Sequence, residues 1–233
     1  MVDAGALRAR LTEVRERIAR AADRAHRDPS SIRLVAISKT HPADDVRGAA
    51  LAGQLEFGEN RVQEALPKIS ATADLSLTWH LVGHLQSNKA RRVAEQFDVV
   101  QSVHDADLLR KLDEGAAASR RRLEVLIQAD LAREPTKHGA PRDTVRSIFA
   151  AARDCRTVKV VGLMLLPPAV DDPQDARPYF RELHGLKQQL LADGVEPSML
   201  AELSMGMSHD FEVAVEEGAT IVRVGTAIFG PRN

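Results

Sequence analysis

Cysteine is nearly absent from this chain, since Cys155 is the one cysteine among 233 residues. An internal disulfide is therefore impossible, and a single thiol is typical of proteins from a reducing compartment. Aromatic residues make up only 3% of the chain, which argues against the stacking platforms that bind single-stranded nucleic acid. The sequence also lacks any run of about 18 uninterrupted apolar residues, the length that a membrane-spanning helix needs.

An excess of charge of one sign is missing too. The chain has 32 Lys and Arg residues against 33 Asp and Glu residues, for a formal net charge of −1. Such a balance provides no positive field for a nucleic-acid backbone. Residues 1–8 carry charges and no apolar stretch of the signal-peptide type. We therefore expect a cytoplasmic protein that binds neither nucleic acid nor a membrane.

Hydrophobic residues, at 44%, are numerous enough for one well-filled core. Leu7, Leu11, Val14 and Ile18 recur at helical spacing and predict an amphipathic helix within residues 4–27. Short β-branched runs then alternate with helical stretches. The predicted strands are 33–39, 54–57, 77–82, 98–103, 122–129, 158–165, 199–204 and 220–226. The predicted helices are 42–53, 59–71, 86–96, 105–118, 141–153, 174–192 and 208–218.

This alternation, without a break in composition, predicts an α/β protein whose residues 1–233 form a single (β/α)8 barrel of the TIM type. Strands such as 158–165 lack polar alternation, which is typical of parallel strands covered on one or both faces. Only residues 229–233 remain after the last predicted strand and its turn, so an eighth helix is not expected there. We expect the extra N-terminal helix, within residues 1–30, to pack on the barrel in its place.

Lys39 ends the first predicted strand and is followed by Thr40, His41 and Pro42, which stop it. A lysine presented at a strand tip is suited to Schiff-base formation with a carbonyl compound. Taken alone, however, a lysine in this position is more often a solvated surface residue. Barrel active sites lie at the C-terminal ends of the strands, and phosphate often binds in the loops after strands 7 and 8.

The ends of strands 7 and 8 have the residues of a phosphate site. Strand 7 ends at Ser204, before residues 205–208, and strand 8 ends at Gly225 and Thr226. Glycine lets backbone N–H groups approach an oxyanion closely, and the two hydroxyls add donors. Tight turns at Gly206 and Gly225 would explain the glycines equally well.

Arg223 interrupts an apolar strand that is expected to be buried. A buried guanidinium without a partner is costly, so Arg223 needs one. One alternative is an ion pair with Glu202 on the neighbouring strand. The other is a ligand heteroatom. Beside a Schiff-base lysine and a phosphate site, that atom would be the pyridine nitrogen of pyridoxal 5′-phosphate (PLP).

Seven segments spread over the chain resemble the pyridoxal phosphate homeostasis family, single-domain relatives of the alanine racemase barrel. They are residues 35–40, 57–64, 79–89, 137–139, 162–164, 203–208 and 222–230. The resemblance implies a fold type III PLP-binding barrel that holds PLP as a Schiff base on Lys39. The cofactor-binding residues that it implies are Lys39, Asn60, Met164, Ser204, Met205, Gly206, Arg223, Gly225 and Thr226.

Within that set, the resemblance implies that Arg223 faces the pyridine nitrogen and that Asn60 and Met164 lie near the ring. Ser204, Gly225 and Thr226 would bind the phosphate, with Met205 and Gly206 in the same turn. Residues 130–133 and 165–167 depart from the commonest family pattern. They fall on the open face of the barrel, so they affect contacts with a substrate rather than with the cofactor.

Arginine opposite the pyridine nitrogen cannot accept a proton, so it weakens the ring as an electron sink. Racemisation needs a second acid or base, which in the racemase relatives is a tyrosine from an added β-domain. Tyr179, the one tyrosine here, falls in a predicted helix. We therefore expect a monomeric, non-catalytic protein of PLP homeostasis that supplies PLP to apoenzymes in transient contacts. A slow amino-acid racemase is the alternative. A third class is a barrel enzyme that uses Lys39 as an aldolase-type nucleophile on another phosphorylated metabolite.

His80 and His84 have the i, i+4 spacing of a helical zinc pair. Residues 79–82 predict a strand instead, and Gly83 ends it, so no metal site is expected. His80 is expected to line the barrel mouth.

Overall fold

Eight parallel strands close into a barrel in the computed structural model, which describes residues 3–132 and 138–231. The strands are β1 (Arg33–Ile37), β2 (Glu56–Glu59), β3 (Thr78–Leu81), β4 (Val99–Val103), β5 (Leu123–Asp130), β6 (Val158–Met164), β7 (Glu202–Ser204) and β8 (Ile221–Val224). Each strand pairs with the next, and β8 pairs with β1, which places Arg33 opposite Ile221. The predicted TIM-type barrel is confirmed.

Helices cover the outside of the barrel. They are α1 (Ala4–Arg24), α2 (Ala43–Leu51), α3 (Val62–Ala71), α4 (Ala90–Gln96), α5 (Ala106–Ala118), α6 (Arg142–Ala152), α7 (Arg177–Ala192), α8 (Phe211–Glu216) and the single turn α9 (Thr226–Phe229). Short 3-10 segments occupy Pro29–Ser31, Ser87–Lys89, Pro173–Ala176 and Pro197–Met199, and a two-residue strand, Ala140–Pro141, pairs with the end of β5. Among the described helices, none is long and apolar enough to cross a membrane.

Several element ends differ from the prediction. The second strand lies at Glu56–Glu59 rather than 54–57, because Gln54 closes the preceding turn by donating to two backbone carbonyls. The last strand ends at Val224 rather than at 226, which leaves room for the turn α9 that was not expected. Strand β1 stops at Ile37 because the chain turns at Thr40, whose φ is 68°.

Helix α1 begins after Asp3, whose carboxylate accepts the Ala6 N–H at 2.8 Å and so caps the helix. Its buried face contains Leu7, Leu11 and Val14. The helix packs against α2, α8 and α9, which is the position that a full eighth barrel helix would occupy.

Two apolar layers build the core. The larger one lies between the strands and the helices. The smaller one fills the barrel interior and includes Val35, Leu126 and Met164. Because side chains alternate along a strand, the neighbours of these interior residues point outward. Arg223, between the outward Val222 and Val224, therefore points into the barrel.

Candidate functional site

A cavity of about 430 Å³ opens at the C-terminal ends of the strands. Residues that follow six of the strands contribute to its wall, as expected for a barrel active site. Five of the predicted site residues line it: Lys39, Asn60, Arg223, Gly225 and Thr226. The same wall contains residues that sequence reasoning did not select, namely His84, Leu166, Met207, Ser208 and His209.

A tight turn presents Lys39 to the cavity. Ser38, the residue before it, is fully buried and donates its N–H to the Gly58 carbonyl at 3.1 Å. The His41 N–H then donates back to the Ser38 carbonyl at 3.0 Å, across Thr40 in its left-handed conformation. The backbone on both sides of Lys39 is therefore held in place.

A buried ion pair lies directly behind this turn. Glu59 Oε1 accepts from both Ser38 Oγ and Lys68 Nζ at 2.6 Å, and Lys68 Nζ also donates to the Ser38 carbonyl at 2.7 Å. Glu59 is 0% exposed and Lys68 is 8% exposed. The pair anchors the end of β1 to β2 and α3. This pair was not predicted from the sequence, although Glu59 lies within 57–64, one of the seven segments that resemble the family.

The loops after β7 and β8 meet at Ser208. Its Oγ accepts from the backbone N–H of Gly225 at 3.0 Å and of Ala227 at 3.5 Å. Gly206, four residues after Glu202, makes the turn possible: its φ is +92°, and a Cβ there would lie 2.5 Å from the Ala214 Cβ. Here glycine is required by backbone conformation and by packing. The Ser208 hydroxyl and the backbone N–H groups of Gly225 and Ala227 thus converge at one corner of the cavity.

Four predicted site residues lie behind the cavity wall. Met164 is fully buried in the barrel interior, and Met205 is fully buried in the layer between strands and helices. Gly206 forms the turn just described. Ser204 Oγ lies inside the barrel, where it donates to Gln101 Oε1 at 2.7 Å. Ser204 thus gives its hydroxyl proton to a partner within the protein, whereas Ser208 Oγ accepts in both of its hydrogen bonds and borders the cavity.

Arg223 closes the floor of the cavity. The residue is only 3% exposed, and its guanidinium donates to Ser204 Oγ at 2.6 Å and to the Leu165 carbonyl at 2.8 Å. Burial lowers the pKa of Arg223 to about 10, against the attraction of Asp210. Glu202 instead pairs with Arg33 at 3.5 Å, because it lies at the other end of β7. The alternative ion pair between Glu202 and Arg223 is therefore wrong.

Histidines occupy two separate places. His84 on the cavity wall stacks on His138 at 3.9 Å and lies 5.0 Å from His104, and burial followed by these two rings lowers its pKa. His80 is fully buried within β3 and contacts Glu56, so its predicted place at the barrel mouth is wrong. Over residues 3–132 and 138–231, no cluster of three or more His, Cys, Asp or Glu side chains is arranged to hold a metal ion.

Lys137, from the quoted segment 137–139, lies outside the described residues.

Comparison with known proteins places the chain in a family. It matches the family described as alanine racemase, N-terminal domain, over residues 7–233. A pyridoxal phosphate homeostasis protein from Aquifex aeolicus is 41% identical over 224 residues, 96% of this chain and 97% of that protein. A protein of the same name from Pseudomonas aeruginosa is 40% identical over 223 residues, 96% of this chain and 94% of that protein.

Solved structures of other proteins have the same fold as this chain. PipY of Synechococcus elongatus without PLP superposes with a TM-score of 0.87 at 38% identity, over 96% of this chain and 100% of that chain. The PLP-bound form of PipY has a TM-score of 0.84 at 37% identity, with the same coverage. Alanine racemase of Clostridium difficile shares the fold at 13% identity, with a TM-score of 0.74 over 97% of this chain and 57% of that chain. The chain therefore belongs to the alanine racemase N-terminal domain family and, within it, to the pyridoxal phosphate homeostasis proteins.

Proposed function

We propose that this protein binds PLP as a Schiff base on Lys39 and serves intracellular PLP homeostasis by holding the cofactor and supplying it to apoenzymes. One observation carries the proposal: Lys39, Arg223 and the hydroxyl corner around Ser208 border the same cavity. The names of the relatives and the PLP bound to PipY support it.

The residues present fit the three reactive parts of PLP. The Lys39 amine is the nucleophile for an aldehyde, and Arg223 is a donor for an unprotonated ring nitrogen. The hydroxyls of Ser208 and Thr226 are donors for a phosphate, and the Gly225 N–H, which donates to Ser208 Oγ at 3.0 Å, is the backbone donor at the same corner. A volume of about 430 Å³ falls within the usual range of small-molecule sites. When bound, PLP supplies an aldehyde and an electron-withdrawing ring.

The phosphate assignment differs from the sequence prediction in one residue. We assign the phosphate hydroxyl to Ser208, because Ser204 Oγ is engaged by Arg223 and Gln101 inside the barrel. Thr226 and Gly225 keep their predicted roles. Met205 and Gly206 act through the turn that presents Ser208, and Asn60, which lines the cavity, would lie beside the ring.

The composition of the wall favours a carrier over an enzyme. Arg223 donates and cannot take up a proton, so a bound ring nitrogen stays unprotonated and carbanion chemistry is weakened. Tyr179 packs on the outer core through α7 rather than on the cavity. His84 and His209 do border the cavity, and they are the groups that the alternative, a slow amino-acid racemase, would use as its second acid or base.

Chemical labelling tests the binding proposal. The purified protein is saturated with PLP, reduced with borohydride, digested and analysed by mass spectrometry. We expect one pyridoxyl adduct on Lys39, absent from a correctly folded Lys39→Ala variant and unchanged in Lys159→Ala, which removes an exposed strand lysine. An adduct on another lysine, or none, would refute the proposal. A colourless, stable protein would favour the aldolase-type alternative.

A transfer assay tests the carrier role. PLP-loaded protein is mixed with an apoenzyme while free PLP is trapped, so that only direct delivery restores activity. The racemase alternative is tested with L- and D-alanine, and inversion faster than about 1 per second would overturn the carrier role. We further propose that residues 1–233 act as one cytoplasmic, monomeric domain. Size-exclusion chromatography with light scattering checks the monomer.

A further inference from the structure

A line of buried polar side chains crosses the barrel interior below the cavity. It runs from Arg223 through Ser204, Gln101 and His80 to Glu56, which sits at the start of β2 at the opposite end of the barrel. The first four residues are at most 3% exposed. Five strands contribute to the line, so no single segment of the chain forms it.

Each step of the line has hydrogen-bond geometry. Arg223 Nη1 lies 2.6 Å from Ser204 Oγ, and Ser204 Oγ lies 2.7 Å from Gln101 Oε1. Gln101 Nε2 lies 3.0 Å from His80 Nδ1, and His80 Nε2 lies 3.1 Å from Glu56 Oε2. Arg33 Nη2 donates to the same oxygen of Glu56 at 2.9 Å.

The two ends of the line determine the direction of every donor: a guanidinium only donates, and an ionised carboxylate such as Glu56 only accepts. Ser204 Oγ must therefore accept from Arg223 and turn its own proton toward Gln101 Oε1. The Gln101 amide group then faces His80 and donates to its Nδ1. His80 must therefore carry its proton on Nε2 and donate to Glu56. Burial lowers the pKa of His80, in keeping with a neutral ring.

We propose that Gln101 and His80 are positioning residues for Arg223, which they hold, through Ser204, against the ring nitrogen of PLP. This rests on the proposed function. The line offers Arg223 an acceptor without a negative charge, since no described carboxylate forms a salt bridge with it. Asp210 attracts Arg223 electrostatically, but Arg223 gives its hydrogen bonds to the neutral Ser204 hydroxyl and the Leu165 carbonyl.

Gln101 and His80 do not contact Arg223, and they act by orienting the hydrogen bond that holds it. The Leu165 carbonyl holds Arg223 Nη2 from the backbone, whereas Nη1 is held by Ser204 Oγ, a side-chain hydroxyl that can rotate. Gln101 fixes the direction of that hydroxyl proton, and His80 fixes which end of the Gln101 amide faces Ser204. Hydrogen bonds in such a buried chain also polarise one another.

Paired ligands test this role. Affinity is measured for PLP and for 1-deazapyridoxal phosphate, in which C–H replaces the ring nitrogen. Loss of one hydrogen bond to a charged group corresponds to about tenfold in affinity or more. For Gln101→Leu we expect PLP binding to weaken by about tenfold and binding of the deaza analogue to change less than about twofold. A residue that merely supports the fold would weaken both ligands equally.

Two further variants distinguish the positioning role from general damage to the barrel. Gln54→Leu removes another buried glutamine, 3% exposed, which donates at 2.7 Å to the carbonyls of Leu34 and Glu56 at the far end of the barrel. It should leave the preference for PLP over the analogue unchanged. Ser204→Ala deletes one oxygen and should reproduce the Gln101→Leu result if the larger change disturbs folding.

The outcomes separate the two proposals. If Lys39 carried no pyridoxyl adduct after reduction, both the proposed function and this inference would be refuted. Normal labelling with equal losses for PLP and the analogue in both variants would overturn only the positioning role. ¹⁵N NMR of the protein without PLP gives a reading free of the cofactor: a proton on His80 Nδ1 would contradict the line as derived.

Discussion

Disruption of the buried ion pair between Glu59 and Lys68 should strongly destabilise the protein. Lys68→Met keeps the length of the side chain and removes its charge. Glu59 then remains fully buried without its cation, and its second oxygen, Oε2, has no hydrogen-bond partner among the described residues even in the intact protein. Removing one partner of a buried ion pair costs about 3–5 kcal/mol.

That loss is large for a protein of this length. At about 2–4 °C per kcal/mol, the melting temperature should fall by roughly 6–20 °C. The double variant Lys68→Met, Glu59→Leu removes both charges and should recover most of the loss, because apolar replacement of a buried pair is often neutral or stabilising. Some deficit should remain, since Ser38 Oγ loses its acceptor, at a cost of about 1–3 kcal/mol.

Urea unfolding followed by circular dichroism measures the stability of the single variant, the double variant and a control. Arg91→Ala is the matched control, because Arg91 and Glu95 form an exposed i, i+4 pair on α4, for which we expect less than about 0.5 kcal/mol. A loss below about 1 kcal/mol for Lys68→Met would contradict the reasoning. So would a double variant less stable than the single one.

Three further predictions concern other parts of the molecule. Gly206→Ala should lower the free energy of unfolding by about 2–5 kcal/mol, because φ is +92° and the new Cβ would meet Ala214; a loss below about 1 kcal/mol in urea unfolding would contradict it. Burial raises the pKa of Glu56, but hydrogen bonds from His80 and Arg33 outweigh it and lower that pKa to about 2. This stabilisation is complete above the unfolded pKa of about 4.3 and is lost as the pH falls toward 2, so Glu56→Gln should flatten the acid limb of stability measured between pH 7 and 2. Cys155 has a pKa raised to about 11 by burial and by Asp113 and Asp154, so native protein should react with Ellman's reagent far more slowly than unfolded protein at pH 8; equal rates would refute this.

Much of the barrel was predictable because its signals are local. Eight apolar runs separated by amphipathic stretches predict eight strands and their order, and the closed barrel follows from that order. The ends of the strands were less predictable. The second strand lies two residues later than expected because Gln54 makes a tertiary hydrogen bond to the Leu34 carbonyl, and no local sequence pattern predicts that contact.

Side-chain direction limited the prediction of the site. Lys39, Gly225 and Thr226 follow strand ends and border the cavity as their positions suggested. Ser204 and Ser208 look alike in sequence, both being hydroxyls beside Gly206. Alternation along β7 turns Ser204 into the barrel, and the turn at Gly206 brings Ser208 to the cavity.

The sequence alone thus determined the barrel, its open end, and the lysine and arginine at that end. It could do so because the periodicity and the ends of strands depend on neighbouring residues. The partners of those two residues were decided by the tertiary structure alone. Ser204 contacts Gln101 across 103 positions of sequence, and Lys68 on α3 contacts the turn at Ser38, after β1. Barrel closure creates such contacts between strands, and a buried charge selects its partners by distance in space rather than by distance along the chain.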